Sequence, residues 1–141
     1  MNLRFQDYIS IKIHQTDLNL TKYIKSKLDQ FNLAPEQNLV MMLLWEQDGL
    51  TQNELAEKLN KDKTNIARMA SSLEKKGYVK RAHPKEDRRS LMLLLTKNGK
   101  ELGEQVIPVA EEFNEVVTNG LSEDELTELE RLLSKIDQNV Q

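Results

Sequence analysis

Leu50-Thr-Gln-Asn-Glu-Leu-Ala-Glu-Lys-Leu59, then Asp62-Lys-Thr-Asn-Ile-Ala-Arg68, then Gly77-Tyr-Val-Lys-Arg81 reads as two short helices, a glycine stop and a strand. At Thr51 a hydroxyl can accept an orphan N–H three residues on while Glu54 returns the bond, the reciprocal capping of a helix start. Leu55, Ala56 and Leu59 then share one helical face. Asp62 can cap a second helix running to about Lys76, and Gly77 supplies the left-handed stop. Beyond it, Tyr78-Val-Lys-Arg81 and Ser90-Leu-Met-Leu-Leu-Leu95 are short strand candidates joined by the charged loop Pro84-Lys-Glu-Asp-Arg-Arg89. Two helices followed by a hairpin make a winged helix-turn-helix. The fold class expected is mainly α with a small β-hairpin wing.

The second helix divides by periodicity. Ile66, Met69, Ala70 and Leu73 recur at the spacing of a core-facing stripe. Thr64, Arg68, Ser71 and Lys75 occupy the opposite stripe, with Asn65 beside them. Hydroxyls, an amide and an arginine without a bulky aliphatic suit a surface pressed into a DNA major groove, where Arg pairs with guanine and Asn with adenine. An ordinary solvated helix face carries similar residues. The hairpin tip favours the DNA reading, because Arg88 and Arg89 beside a basic helix suit a wing reaching into a narrow, strongly negative minor groove.

Charge is distributed accordingly. The chain of 141 residues carries a net −3, but residues 51–100 hold 13 basic and 6 acidic side chains, a net of +7. Residues 1–50 sum to −1 and residues 101–141, with 2 basic and 11 acidic, to −9. A positive module between neutral and acidic flanks directs the middle of the chain at an anionic partner.

These segments resemble the multiple-antibiotic-resistance regulator (MarR) family of bacterial transcription factors. The residues carrying the resemblance are Leu50–Leu59, Asp62–Arg68, Leu73-Glu-Lys-Lys-Gly-Tyr-Val-Lys-Arg81, Asp87-Arg-Arg89 and Leu94-Leu-Thr96. The resemblance implies that Thr64, Asn65 and Arg68 lie at the major groove, that Asp87 orients Arg89 at the minor groove, and that Arg88 is a second contact. With Ser71 on the same stripe and Lys63, Lys75 and Lys80 adding phosphate attraction, these ten residues are the expected DNA-binding set. One departure is Ala34, a poor cap where the family often has Thr or Ser before the Pro-Glu that opens its second helix.

The flanks read as long amphipathic helices. Phe5, Ile9, Ile13, Leu20, Ile24, Leu28 and Phe31 repeat at helical spacing over six or seven turns, with Tyr8 and Tyr23 beside them. Pro35 opens a helix through Trp45 whose Leu39, Val40, Leu43 and Leu44 are expected in the core. Thr96 can cap a helix carrying Leu102, Val106, Val109, Phe113, Val116 and Val117, kinked at Pro108 and stopped at Asn119-Gly120. Ser122-Glu-Asp-Glu125 starts a last helix bearing Leu126, Leu129, Leu133, Ile136 and Val140. One winged helix has no place to bury so many stripes. The expected organisation is therefore residues 35–97 as the DNA-binding domain, with 1–34 and 98–141 as a helical dimerisation region joining two copies. Two-fold symmetry then predicts a pseudo-palindromic double-stranded operator with half-sites about one helical turn apart. A bundle folded within one monomer is the alternative.

By the same resemblance, a small aromatic effector is expected between the dimerisation and DNA-binding parts. Tyr8, His14, Met41 and Trp45 are candidates for its pocket, with core packing the favoured reading for each. Other chemistry is poorly served. The chain has no Cys and two His, 14 and 83, hence no disulfide, thiolate metal site or thiol switch, and no metal or other cofactor is expected. It has no phosphate-cradling glycine loop and no nucleophile beside a base, so catalysis is not expected. The longest apolar run, Leu39 to Trp45, is too short for a membrane span, and a cytoplasmic protein is expected. The competing function is a winged-helix interaction module recognising an acidic protein. Its weakness is the lack of aromatic anchors on the basic surface.

Overall fold

The computed structural model describes residues 1–141. In chain order they form α1 (Ile9–Leu28), α2 (Pro35–Glu46), α3 (Gln52–Leu59), α4 (Lys63–Lys75), β1 (Val79–Ala82), β2 (Met92–Leu95), α5 (Lys97–Val117) and α6 (Glu123–Asn139). The chain divides into two compact units, Met1–Val109 and Ala110–Gln141.

In the first unit the expected start signals operate. Thr51 Oγ1 accepts from the Glu54 N–H at 3.1 Å and Glu54 Oε1 accepts from the Thr51 N–H at 3.0 Å, closing the capping box of α3. The Thr51 N–H first, and the Thr51 side chain second, hold the Glu54 carboxylate below its ordinary range. Asp62 Oδ1 caps α4 through the Asn65 N–H at 2.7 Å. Between the two helices Asn60 takes a left-handed conformation (φ 52°), as Gly77 does after α4 (φ 85°). At α2, Ala34 has no side-chain acceptor to offer. Only the returning half of the box forms, Gln37 Oε1 accepting from the Ala34 N–H at 3.3 Å, while Pro35 begins the helix.

The hairpin is antiparallel, with Val79 opposite Leu95, Lys80 opposite Leu94, Arg81 opposite Leu93 and Ala82 opposite Met92. On its other side β2 is held by the segment before α3. The Leu93 N–H donates to the Leu50 carbonyl at 2.9 Å, and the Gln52 N–H to the Leu91 carbonyl at 2.8 Å. Asp48 adds a side-chain clamp, Oδ1 accepting from the Leu95 N–H at 2.8 Å. The wing is thereby fastened to the entry of α3.

The core of this unit is formed by Leu28, Val40, Met41, Leu44, Leu55, Ile66, Leu73, Val79, Leu93, Leu102 and Val106, all buried. The α4 stripe Ile66, Met69, Ala70 and Leu73 is buried as its spacing predicts. The α2 expectation needs correction. Val40 and Leu44 are buried, but Leu39 is 43 % exposed and Leu43 is half-buried, while Met41 is fully enclosed. A continuous apolar run such as Leu39–Trp45 has no polar gap to mark its inner face, so periodicity could not orient it. The N-terminal repeat also departs from one long helix. Short 3-10 turns at Phe5–Asp7 and Asp29–Phe31 flank a 20-residue α1, with Tyr8 extended before it and Asn32 left-handed (φ 52°) after it.

Much of the N-terminal segment is uncovered. Phe5, Tyr8, Ile9, Ile13, Leu18 and Tyr23 are exposed, and within the helix only Ile24 and Leu28 are buried. The helix α5 continues through Pro108. In the second unit, Ser122 caps α6 reciprocally with Glu125, at 2.9 and 3.1 Å. Leu121, Leu129, Leu132, Leu133, Ile136 and Val140 of this unit are all exposed. No helix of the chain is long and apolar enough to cross a membrane.

Candidate nucleic-acid interface

The helix α4 shows its two faces as the sequence divides them. Lys63, Thr64, Arg68, Ser71 and Lys75 are exposed, Asn65 is half-buried, and the opposite stripe is sealed in the core. The exposed set spans about three turns, the length of helix that a major groove admits. At its N-terminal end the Asn65 side chain meets Arg68, whose Nη2 donates to Asn65 Oδ1 at 3.3 Å.

Not every cation of the basic module faces outward. Arg81 is bound to Glu74, its Nη2 and Nε reaching Oε1 at 3.1 and 3.3 Å and its backbone N–H reaching Oε2 at 3.0 Å. These bonds, the backbone one first, hold the Glu74 carboxylate below its ordinary range. They tie the last turn of α4 to β1. Lys76 turns inward as well, its Nζ donating to the Asn32 carbonyl at 2.6 Å and to Gln37 Oε1 at 2.8 Å. Gln37 Nε2 in turn donates to Ser72 Oγ at 3.0 Å. Gln37 thus joins the corner before α2 to the inner edge of α4. Nothing in local sequence signals this junction, because its partners lie far apart along the chain.

Lys80, Arg88 and Arg89 are exposed, and so is Asp87. Asp87 does engage Arg89, but through the backbone. Its Oδ1 accepts from the Arg89 N–H at 3.0 Å and its Oδ2 from the Ser90 hydroxyl at 2.9 Å. The carboxylate therefore shapes the turn that carries Arg89, leaving the guanidinium directed by the turn itself. His83 closes the base of the same loop, with Nδ1 2.9 Å from the Ser90 carbonyl. In the neutral ring that nitrogen must carry the proton, since a carbonyl only accepts.

The Arg89 N–H first, and the Ser90 hydroxyl second, hold the Asp87 carboxyl below the usual carboxylate range. Because folding lowers this pKa, the wing turn gains from Asp87 above the pKa of the unfolded chain and loses that gain as pH falls through the folded value. The Arg89 amide proton resonance is expected to titrate with a midpoint below the roughly 3.9 of an unperturbed aspartate. A midpoint at or above that value would show the carboxylate to be unbound in solution.

The four candidate effector residues differ in setting. Met41 is fully buried in the core. Trp45 is half-buried, its Nε1 donating to the Gly99 carbonyl at 3.0 Å, and a Cβ on Gly103 would lie 2.8 Å from that nitrogen. Both act as packing residues here. Tyr8 and His14 are exposed on the N-terminal segment. No cluster of three or more His, Cys, Asp or Glu side chains is arranged to hold a metal ion.

Residues 33–91 match the model of the MarR family. The Bacillus subtilis organic hydroperoxide resistance transcriptional regulator is 28 % identical over 108 residues, covering 77 % of this chain and 74 % of that protein. The Escherichia coli transcriptional repressor MprA is 34 % identical over 104 residues, covering 71 % of this chain but 59 % of that protein. Among solved structures, Staphylococcus aureus MepR in complex with DNA superimposes with a TM-score of 0.86 at 26 % identity, covering 95 % of this chain and 98 % of that one.

Proposed function

We propose that the chain is a DNA-binding transcriptional regulator of the MarR family, a repressor that occupies a pseudo-palindromic operator as a homodimer. Members of this family regulate transcription and are not enzymes. The observation that carries the reading is the uncovered polar stripe of α4, Thr64, Arg68, Ser71 and Lys75, set on a helix whose other face is locked into the core. A helix fixed from behind presents its side chains in one register, which base reading requires. In this assignment residues 35–97 read DNA. The cluster of Thr64, Asn65 and Arg68 supplies base discrimination, Arg88 and Arg89 anchor the wings, and Lys63, Lys75 and Lys80 attract phosphate. Asp87 acts by holding the wing turn. A repressor of this kind works in the cytoplasm and excludes polymerase by occupying promoter DNA. Release by a small aromatic effector belongs to the same reading, with Tyr8 and His14 the candidates not committed to core packing.

Base readers and phosphate anchors have separable signatures. Arg68→Ala is expected to reduce the preference for operator over altered duplexes roughly tenfold, since a bidentate Arg–guanine pair is worth about 1–3 kcal/mol of discrimination. Arg89→Ala is expected to weaken binding to all duplexes by a similar factor with the preference kept. Competition titrations with matched and mismatched duplexes check both. If each variant bound every duplex as the parent does, the assignment would be wrong.

Dimerisation through residues 1–34 and 98–141 is supported by the exposed apolar residues between Phe5 and Tyr23 and between Leu121 and Val140. Contiguous apolar surface left in water marks an interaction site. Sedimentation at micromolar concentration is expected to give twice the 16.4 kDa chain mass. A species of single-chain mass would contradict the dimer.

A further inference from the structure

Asn65 and Arg68 stand one turn apart on α4, joined by the bond from Arg68 Nη2 to Asn65 Oδ1. The two are unequally fixed. Asn65 is half-buried and its backbone N–H is held by the Asp62 cap at 2.7 Å, whereas Arg68 is exposed on a long flexible stem. Asn65 is thus the anchored member and Arg68 the one being directed.

The chemistry of base reading assigns them different tasks. An asparagine that reads adenine uses both ends of its amide, Oδ1 accepting from the N6 amino group while Nδ2 donates to N7. Here Oδ1 is turned to the guanidinium. Arginine that reads guanine donates two N–H groups to O6 and N7, and a guanidinium has five such donors. Giving one to Asn65 leaves a fork for the base. An arginine on an open helix face loses rotamer freedom on binding, and an acceptor one turn away removes part of that loss before DNA arrives. A neutral amide suits the task better than a carboxylate would. It steers the guanidinium without a negative charge facing phosphates.

We propose that Asn65 is a positioning residue that reads no base of its own: it aims Arg68, and the pair specifies a single guanine in each half-site. This rests on the assignment of α4 as the DNA-reading helix. The test is a double-mutant cycle on the full-length protein with Asn65→Ala, Arg68→Ala, the double variant and Asn65→Asp. Each is titrated against an operator selected by the parent and against its single-base-pair variants, with melting curves verifying the fold. Arg68→Ala is expected to lower the preference at one G·C pair roughly tenfold or more. Asn65→Ala should lower it several-fold at the same pair and at no other, and the double variant should be no less selective than Arg68→Ala. Asn65→Asp keeps the acceptor, so guanine preference should survive even as its added charge weakens binding to every duplex. Relaxed preference at a different base pair in Asn65→Ala, or single effects that multiply in the double variant, would overturn the proposal while leaving α4 as the reading helix. A parent without base preference at any position would instead remove that assignment itself, and the pairing with it.

Discussion

Raising the salt from roughly 50 to about 200 mM is expected to weaken operator binding by about four orders of magnitude. The expectation follows from where charge is free to act. Within the +7 module, Arg81 is engaged by Glu74 and Lys76 is turned inward toward Asn32 and Gln37. Lys63, Lys75, Lys80, Arg88 and Arg89 remain exposed on α4, at β1 and at the wing. Two copies on one operator then supply cations enough for about eight phosphate contacts, each releasing condensed counterions, for a log-log slope near −7. The −9 of residues 101–141 does not cancel this, because a net charge summed over the chain says little about the local field at a groove within a Debye length of the cations. Anisotropy titrations across that salt range measure the slope. A slope shallower than about −3 would mean that few phosphates are engaged. The same titrations with unrelated competitor duplexes separate a DNA reader from a module that binds an acidic protein, since only the former distinguishes sequences.

Gly99→Ala is expected to destabilise the fold by about 3 kcal/mol, the upper part of the range for overpacking. An added Cβ would lie 2.1 Å from the Tyr78 carbonyl oxygen and 3.1 Å from its carbon. Both are backbone atoms, so no rotamer change relieves the clash. The surroundings are also tied. The Tyr78 carbonyl accepts from the Thr96 N–H at 3.1 Å, Thr96 Oγ1 donates to the Gly77 carbonyl at 2.6 Å and accepts from the Gly99 N–H at 3.0 Å, and the Gly99 carbonyl receives Trp45. The start of α5 is pinned where the chain leaves α4 for the wing. Forcing it away strains the wing and the Trp45 contact together. Calorimetry should show Tm lower by about 10 °C. A variant melting within about 2 °C of the parent would mean that this junction yields easily.

The sequence carried its clearest information where the cause of structure is local. Thr51 and Glu54, Asp62, Gly77, and Ser122 and Glu125 are each caps or stops whose partners lie within a few residues, and each acts as expected. The two faces of α4 were equally plain, because polar and apolar residues alternate there with helical period. In α2 that contrast is missing, and Met41 instead of Leu39 lies inside. Contacts made across the fold left no local trace. Asp48 holding the Leu95 N–H, Gln37 bridging to Ser72 and Lys76, and Glu74 gripping Arg81 are products of tertiary placement. Asp87 shows both kinds at once. That it serves Arg89 was legible from the family resemblance, whereas its action through the backbone N–H is set by the fold of the wing turn.

Selection of bound duplexes from a random DNA library by the purified protein at about physiological salt, followed by sequencing, tests most directly that α4 and the wing read DNA as a symmetric pair. Enrichment of a pseudo-palindrome with half-sites about one helical turn apart is predicted, each half containing a guanine whose preference disappears in Arg68→Ala. A parent protein that retains duplexes without any enriched sequence, or enriches one unpaired half-site alone, would contradict it.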